Sequence, residues 1–167
     1  MNIQNIRDLY DYNYWANRHL LNMAEKVTPE QFIASSSHSF SSLQGTLVHT
    51  LDAEWSWRLL LQGQGFPGEM KAVDFPTVGA IRERWQEEEQ AMRSYLDSLR
   101  DADLTGMVRY QGDAGVLRER LLWHCLFHVV NHGMQHRSEA ASLLTTYGQS
   151  PGDIDFTVFL NERAAHQ

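Results

Sequence analysis

Histidines stand at positions 124, 128, 132 and 136, one helical turn apart, inside a stretch from about Val116 to Tyr147 that reads as one helix stopped at Gly148. On a helix advancing about 100° per residue, with Leu117 set at zero, Leu121, Leu122, Cys125, Val129, Ala140, Leu143 and Tyr147 fall in one apolar sector centred near about 90°. His132 and His136 fall inside that sector, at roughly 60° and 100°, His128 at its edge and His124 just outside. The stretch is therefore expected to pack as a long helix that turns two imidazoles into a core.

Three further helices are predicted around it. Ile6, Leu9, Tyr10, Asn13, Ala16, Leu20 and Met23 mark a stripe from about Ile3 to Lys26. Thr28 followed by Pro29 then opens a short turn. Ser41 and Ser42 are cap candidates for a helix to about Gln62, ended by Gly63 and Gly65. After a loop holding Pro67, Gly68 and Pro76, a helix from about Thr77 to Arg100 carries Ile81, Trp85, Glu88, Met92, Tyr95, Leu96 and Leu99 on its inner stripe. Met107 to Tyr110 reads as a short strand or irregular chain. Asp153 is expected to cap a short C-terminal helix ending near Ala164. Four long amphipathic helices with modest connections imply an all-α four-helix bundle, taken as one domain over residues 1–167.

Composition narrows the function classes. A chain that is 43% hydrophobic and 11% aromatic can build a core. Its 21 acidic against 14 basic residues give a net charge of -7, which opposes binding to a phosphate backbone. Cys125 is the one cysteine, so no intramolecular disulfide forms. The opening Met1 to Asn5 has neither a basic nor an apolar targeting region, and no apolar run approaches a membrane span, so a cytoplasmic protein is expected.

Side chains at i and i+4 of a helix share a face, and two imidazoles so placed reach one ion at roughly 2.0–2.1 Å. Spacing alone leaves a metal pair and a pair of hydrogen-bonded core histidines equally open. The zincin H-E-x-x-H signature is absent, and so is the E-x-x-H of di-iron bundles. A third ligand has to come from another helix. His49 lies well off the stripe of Leu43, Leu47, Leu51, Trp55 and Leu59, so periodicity by itself reads it as solvent-exposed.

Several segments resemble the DinB/YfiT-like superfamily, the DNA-damage-inducible DinB family of small helical proteins. They are Tyr12-Asn13-Tyr14-Trp15-Ala16-Asn17, His49 through Trp55, Asn131-His132-Gly133-Met134-Gln135-His136-Arg137, Leu143-Leu144, Tyr147-Gly148 and Ser150 through Asp155. They follow the family's order along nearly the whole chain. The resemblance implies an up-down-down-up bundle with a long crossover. It also implies a divalent metal, usually nickel or zinc, on His49, His132 and His136, and a homodimer. Characterised relatives include transferases using low-molecular-weight thiols and mycothiol-dependent isomerases, so the resemblance implies a small-molecule substrate and a thiol S-transferase. A metal-dependent hydrolase and a non-enzymatic, stress-associated metal-binding dimer are the alternatives.

Other residues carry narrower expectations. His128 is expected to pack at the core edge, and His19, His38, His124 and His166 to be solvated. Glu88 is expected at a bundle end with its carboxylate reaching water. Asp52, Glu54 and Glu139 are candidates to orient a ligand histidine, and Cys125 to be a buried, inert thiol.

Overall fold

The computed structural model describes residues 1–112 and 115–165. Helix α1 (Ile3–Ala24) opens on an Asn2/Asn5 capping box, and α2 (Pro29–Ile33) on a Thr28/Gln31 box. Helix α3 (Leu43–Leu61) is capped by the Ser42 hydroxyl, which accepts from the Gly45 amide, and α4 (Val78–Ser98) by Thr77, which accepts from Ala80. Helix α5 spans Leu122–Thr146 and α6 spans Phe156–Ala165. Gly63 and Gly148 turn the chain out of α3 and α5 with φ of 77° and 74°, a left-handed conformation that glycine adopts without penalty.

Side-chain contacts fix the helix directions. The Tyr10 hydroxyl donates to the Leu126 carbonyl and Arg137 reaches Asn17, so α1 and α5 run parallel. Arg93 pairs with Asp11 and Arg82 with Glu25, so α4 runs antiparallel to α1. Trp85 bonds Glu54 and the Tyr95 hydroxyl donates to the Leu61 carbonyl, so α3 and α4 run parallel, joined by the crossover 62–77. The bundle is up-down-down-up, with α1 and α3 each packed against both α4 and α5. Helix α6 is strapped to α1 by Trp15 Nε1 on Glu162, and the turn before it by the Tyr12 hydroxyl on the Ile154 carbonyl.

Two expectations about the elements are corrected. The fourth helix starts at Leu122 rather than Val116. Leu117–Leu121 instead forms strand β2, paired antiparallel with β1 (Met107–Gln111) in the register Met107 to Leu121, Arg109 to Glu119 and Gln111 to Leu117. Leu117 and Leu121 have the spacing of a helical stripe, but Leu117 is 69% exposed, and the Arg109–Glu119 ion pair across the ladder favours the hairpin. Asp153 does not cap α6. Its carboxylate accepts from the Asp155 amide in a local turn, and the Asp155 carbonyl takes the first helical bonds from Val158 and Phe159.

The core is two apolar clusters. One gathers Ile6, Tyr10, Met92, Leu96, Leu126 and Val129, and the other Leu20, Leu43, Leu47, Leu51, Ile81 and Leu144. Between them lies a layer of buried polar side chains: Asn13, Asn17, Glu54, Arg58, Glu88 and Arg137. Glu88 is therefore not at a wet bundle end. It is fully buried and held by Arg58 through Nε at 2.6 Å and a second nitrogen at 2.7 Å.

Candidate metal centre

Helix α5 brings His132 and His136 one turn apart on one face, and α3 sets His49 opposite them. Their Nε2 atoms converge: His49 to His132 at 3.3 Å and His136 to His132 at 3.2 Å. Two nitrogens bound tetrahedrally to one ion at roughly 2.0–2.1 Å lie about 3.3 Å apart, so this donor set fits a divalent ion. Among the described residues no fourth histidine, cysteine or carboxylate joins the group. Burial, followed by the neighbouring His136, pushes the pKa of both His49 and His132 down to about 4, so both imidazoles are neutral with a lone pair to give.

The orientation of the ligands is fixed from outside. Nδ1 of His136 faces a Glu139 carboxylate oxygen at 2.8 Å. That partner places the ring proton on Nδ1 and leaves Nε2 bare toward the cluster. The other Glu139 oxygen accepts from the Ser39 hydroxyl at 3.2 Å. Burial opposes the charge on Glu139, but the His136 bond and the Ser39 hydroxyl hold its pKa below the usual value. On the opposite side the Phe40 ring lies flat on His49, centroids 3.6 Å apart and 13° from parallel, and edge-on to His136 at 5.2 Å. A tight loop aims Phe40 there. Ser36 donates to the Ser41 carbonyl and Ser42 to the Phe40 carbonyl, with Ser41 at φ 62°.

The expected orienting residues therefore divide. Glu139 serves His136, whereas Asp52 accepts from the Met70 amide and Glu54 from Asn13, Asn17 and Trp85, so neither touches His49. The carboxylates near His49 in sequence turn away from it because Glu54 lies on the buried face of α3 and Asp52 beside the crossover. Burial raises the pKa of Glu54 and its three side-chain donors oppose this. His128 is exposed at the core edge, its ring 5.7 Å from that of His132 and 5.0 Å from Trp57. His124 is exposed, while His19 and His38 are partly covered and His166 lies outside the described residues. Cys125 is buried and its pKa is pushed up to about 11, mainly by burial, as an inert thiol requires. Sequence reasoning missed Phe40 and Ser39. They sit in a loop of serines, and only their contact across the chain with α3 and α5 gives them a role.

Arg137, next to His136, points the other way. Its Nη1 donates to the side-chain oxygens of Asn13 and Asn17, whose amide nitrogens donate to Glu54, so two amides bridge a buried guanidinium and a buried carboxylate. The N-H-G-x-x-H-R segment thus joins the histidine cluster to the polar layer across one turn of α5.

The family model described as the DinB family matches residues 1–165. A curated relative, "Protein DinB" of Bacillus subtilis (strain 168), is 22% identical over 168 residues, covering 91% of each chain. Among solved structures, a DinB-like protein from Bacillus cereus superposes with a TM-score of 0.65 at 18% identity, over 91% of this chain and 97% of that one. Among the described residues no helix is long and apolar enough to cross a membrane.

Proposed function

The chain belongs to the DinB family, and on that premise we propose that it holds one divalent ion, nickel or zinc, on His49, His132 and His136 and joins a low-molecular-weight thiol to an electrophile. The observation that carries the reading is the convergence of three Nε2 atoms with no fourth protein donor among the described residues, the pattern of metal sites that keep a position for substrate. A divalent ion there lowers the pKa of a thiol or water that reaches it, the chemistry on which thiol transfer draws. The chain's own residues prepare the site. Glu139 holds the His136 proton on Nδ1, and Phe40 shields one face of His49 from water. The homodimer implied by the resemblance belongs to the same proposal, and the exposed Phe127, Met134 and Phe156 around one apolar cavity offer a face for it.

The test is elemental analysis of untagged protein beside a His49→Ala/His132→Ala/His136→Ala variant, followed by a screen of thiols with electrophiles. Near-stoichiometric nickel or zinc that disappears in the variant, with thiol consumption dependent on it, is the expected result. Absence of metal in both samples after dialysis against nickel and zinc overturns the site. Metal without thiol consumption, but with ester or amide cleavage, replaces the transferase by a hydrolase.

A further inference from the structure

One cleft borders the histidine cluster and has no part in holding the ion. It lies between α3, the hairpin and the first turns of α5, has a volume of about 320 Å³, and is lined by Trp57, Tyr110, Arg120, His124, Cys125 and His128. That volume, with aromatic rings beside convergent polar groups, is what small-molecule sites have in common.

The hairpin register builds the cleft. Side chains alternate across a strand, and directly paired residues share a face. Val108 pairs with Arg120 and Tyr110 with Arg118, so Tyr110 and Arg120 lie on one face of the hairpin. Arg109 and Glu119, paired with each other, lie on the opposite face and form an ion pair there. The one carboxylate of β2 is thus turned away from the cleft. Arg120 donates to the Glu119 carbonyl at 2.8 Å and pairs with no carboxylate among the described residues. In a chain of net charge -7, a guanidinium left in this way at an aromatic cleft marks a place for an anion. The rest of the wall is mostly flat rings, Trp57, Tyr110 and the imidazoles of His124 and His128. Trp57 meets Tyr110 edge-on at 5.2 Å and His128 at 5.0 Å, and His128 is one turn before His132.

We propose that this cleft binds a small organic anion with a flat apolar body, in its simplest form an aromatic carboxylate, with the charge on Arg120 and the ring against Trp57 and Tyr110. Its identity as the electrophile of the transfer rests on the proposed function. Its binding in the cleft does not.

The experiment is calorimetric titration with 2-naphthoate and its uncharged amide, 2-naphthamide. It uses chelator-dialysed protein and the triple histidine-to-alanine variant, so that coordination of the carboxylate to an ion is not read. Naphthoate is expected to bind saturably to both and about tenfold more tightly than naphthamide, the difference one charge-assisted hydrogen bond makes. Arg120→Gln, at an exposed strand position, removes that preference, and Tyr110→Ala weakens both probes. Equal binding of the two probes, or naphthoate affinity unchanged by Arg120→Gln, overturns the proposal. Either of those results beside a normal metal content leaves the three-histidine reading standing. Naphthoate binding beside a metal-free native protein leaves the cleft standing and removes the metal.

Discussion

Gly133 shows how closely one residue ties the histidine pair to the core. A Cβ there would lie 2.7 Å from Arg137 Nη1 and 3.1 Å from Asn13 Oδ1. The guanidinium is held by Asn13, Asn17 and the Val130 carbonyl, so it has no room to withdraw. Gly133→Ala should cost about 1–3 kcal/mol by overpacking, against the gain in helix propensity that alanine brings at an exposed site. Urea unfolding checks it, and an unchanged midpoint would show that the network shifts freely. Glu139→Gln tests the other side of the same turn. The amide can keep one hydrogen bond to the imidazole but not the charge, and affinity for zinc should fall by about 10–100-fold with the fold intact. Competition against a chromophoric chelator measures it, and an affinity within twofold of native would remove Glu139 from the site. At this scale His132 and His136 were legible because four residues return a helix to the same face. His49 was not, because it lies off the buried face of α3 that carries Leu43, Leu47, Leu51, Glu54 and Arg58, and it is covered by the Phe40 ring and His132, both from outside that helix.

The elements were legible at their caps more than in their interiors. Thr28, Ser42 and Thr77 each accept the amide three residues on, as their side chains and positions predict. The start of α5 was misplaced because leucines four apart occur in a strand as well as a helix, and only the partner strand at Met107–Gln111 decides between them. The loop before α3 has a similar dependence on a distant contact. A Cβ on Gly45 would meet the Phe40 carbonyl oxygen at 2.2 Å, so the first turn of α3 and the Phe40 loop fit only with glycine between them. Gly45→Ala should push Phe40 off His49 at an overpacking cost of about 1–3 kcal/mol. The expected signs are faster hydrogen exchange at the Gly45→Ala site and at Thr46, and a several-fold loss of zinc affinity shared by Phe40→Ala. Native exchange rates together with native affinity would show that the stacked ring has no influence on the ligand.

At the scale of the molecule, the polar layer between the two apolar clusters is the feature with the largest energetic consequence. The up-down-down-up order came from the resemblance, and helix count and length from periodicity. The layer itself was hidden, since Glu88 stands on the inner stripe of its helix but reads there as a bundle-end residue with its carboxylate in water, and nothing in the sequence marks Arg58 as its partner. Glu88 is 0% exposed and the Arg58 side chain 10%, joined by two hydrogen bonds, and the Glu88 bond raises the pKa of Arg58. Desolvation of both charges offsets most of their attraction, so the pair adds little net stability, but one partner alone is left as an uncompensated buried charge. Glu88→Leu alone, like Arg58→Met alone, should therefore destabilise the protein by about 3–5 kcal/mol, whereas the double replacement Arg58→Met/Glu88→Leu should lie near the native value or above it. Chemical denaturation of the two single variants and the double one forms a cycle whose coupling term isolates the pair. If the double variant is as unstable as the sum of the singles, the coupling is zero and the two charges do not act as a pair. If it recovers native stability, the loss in each single variant comes from the charge left unpaired, and unchanged metal content separates the layer from the histidine site.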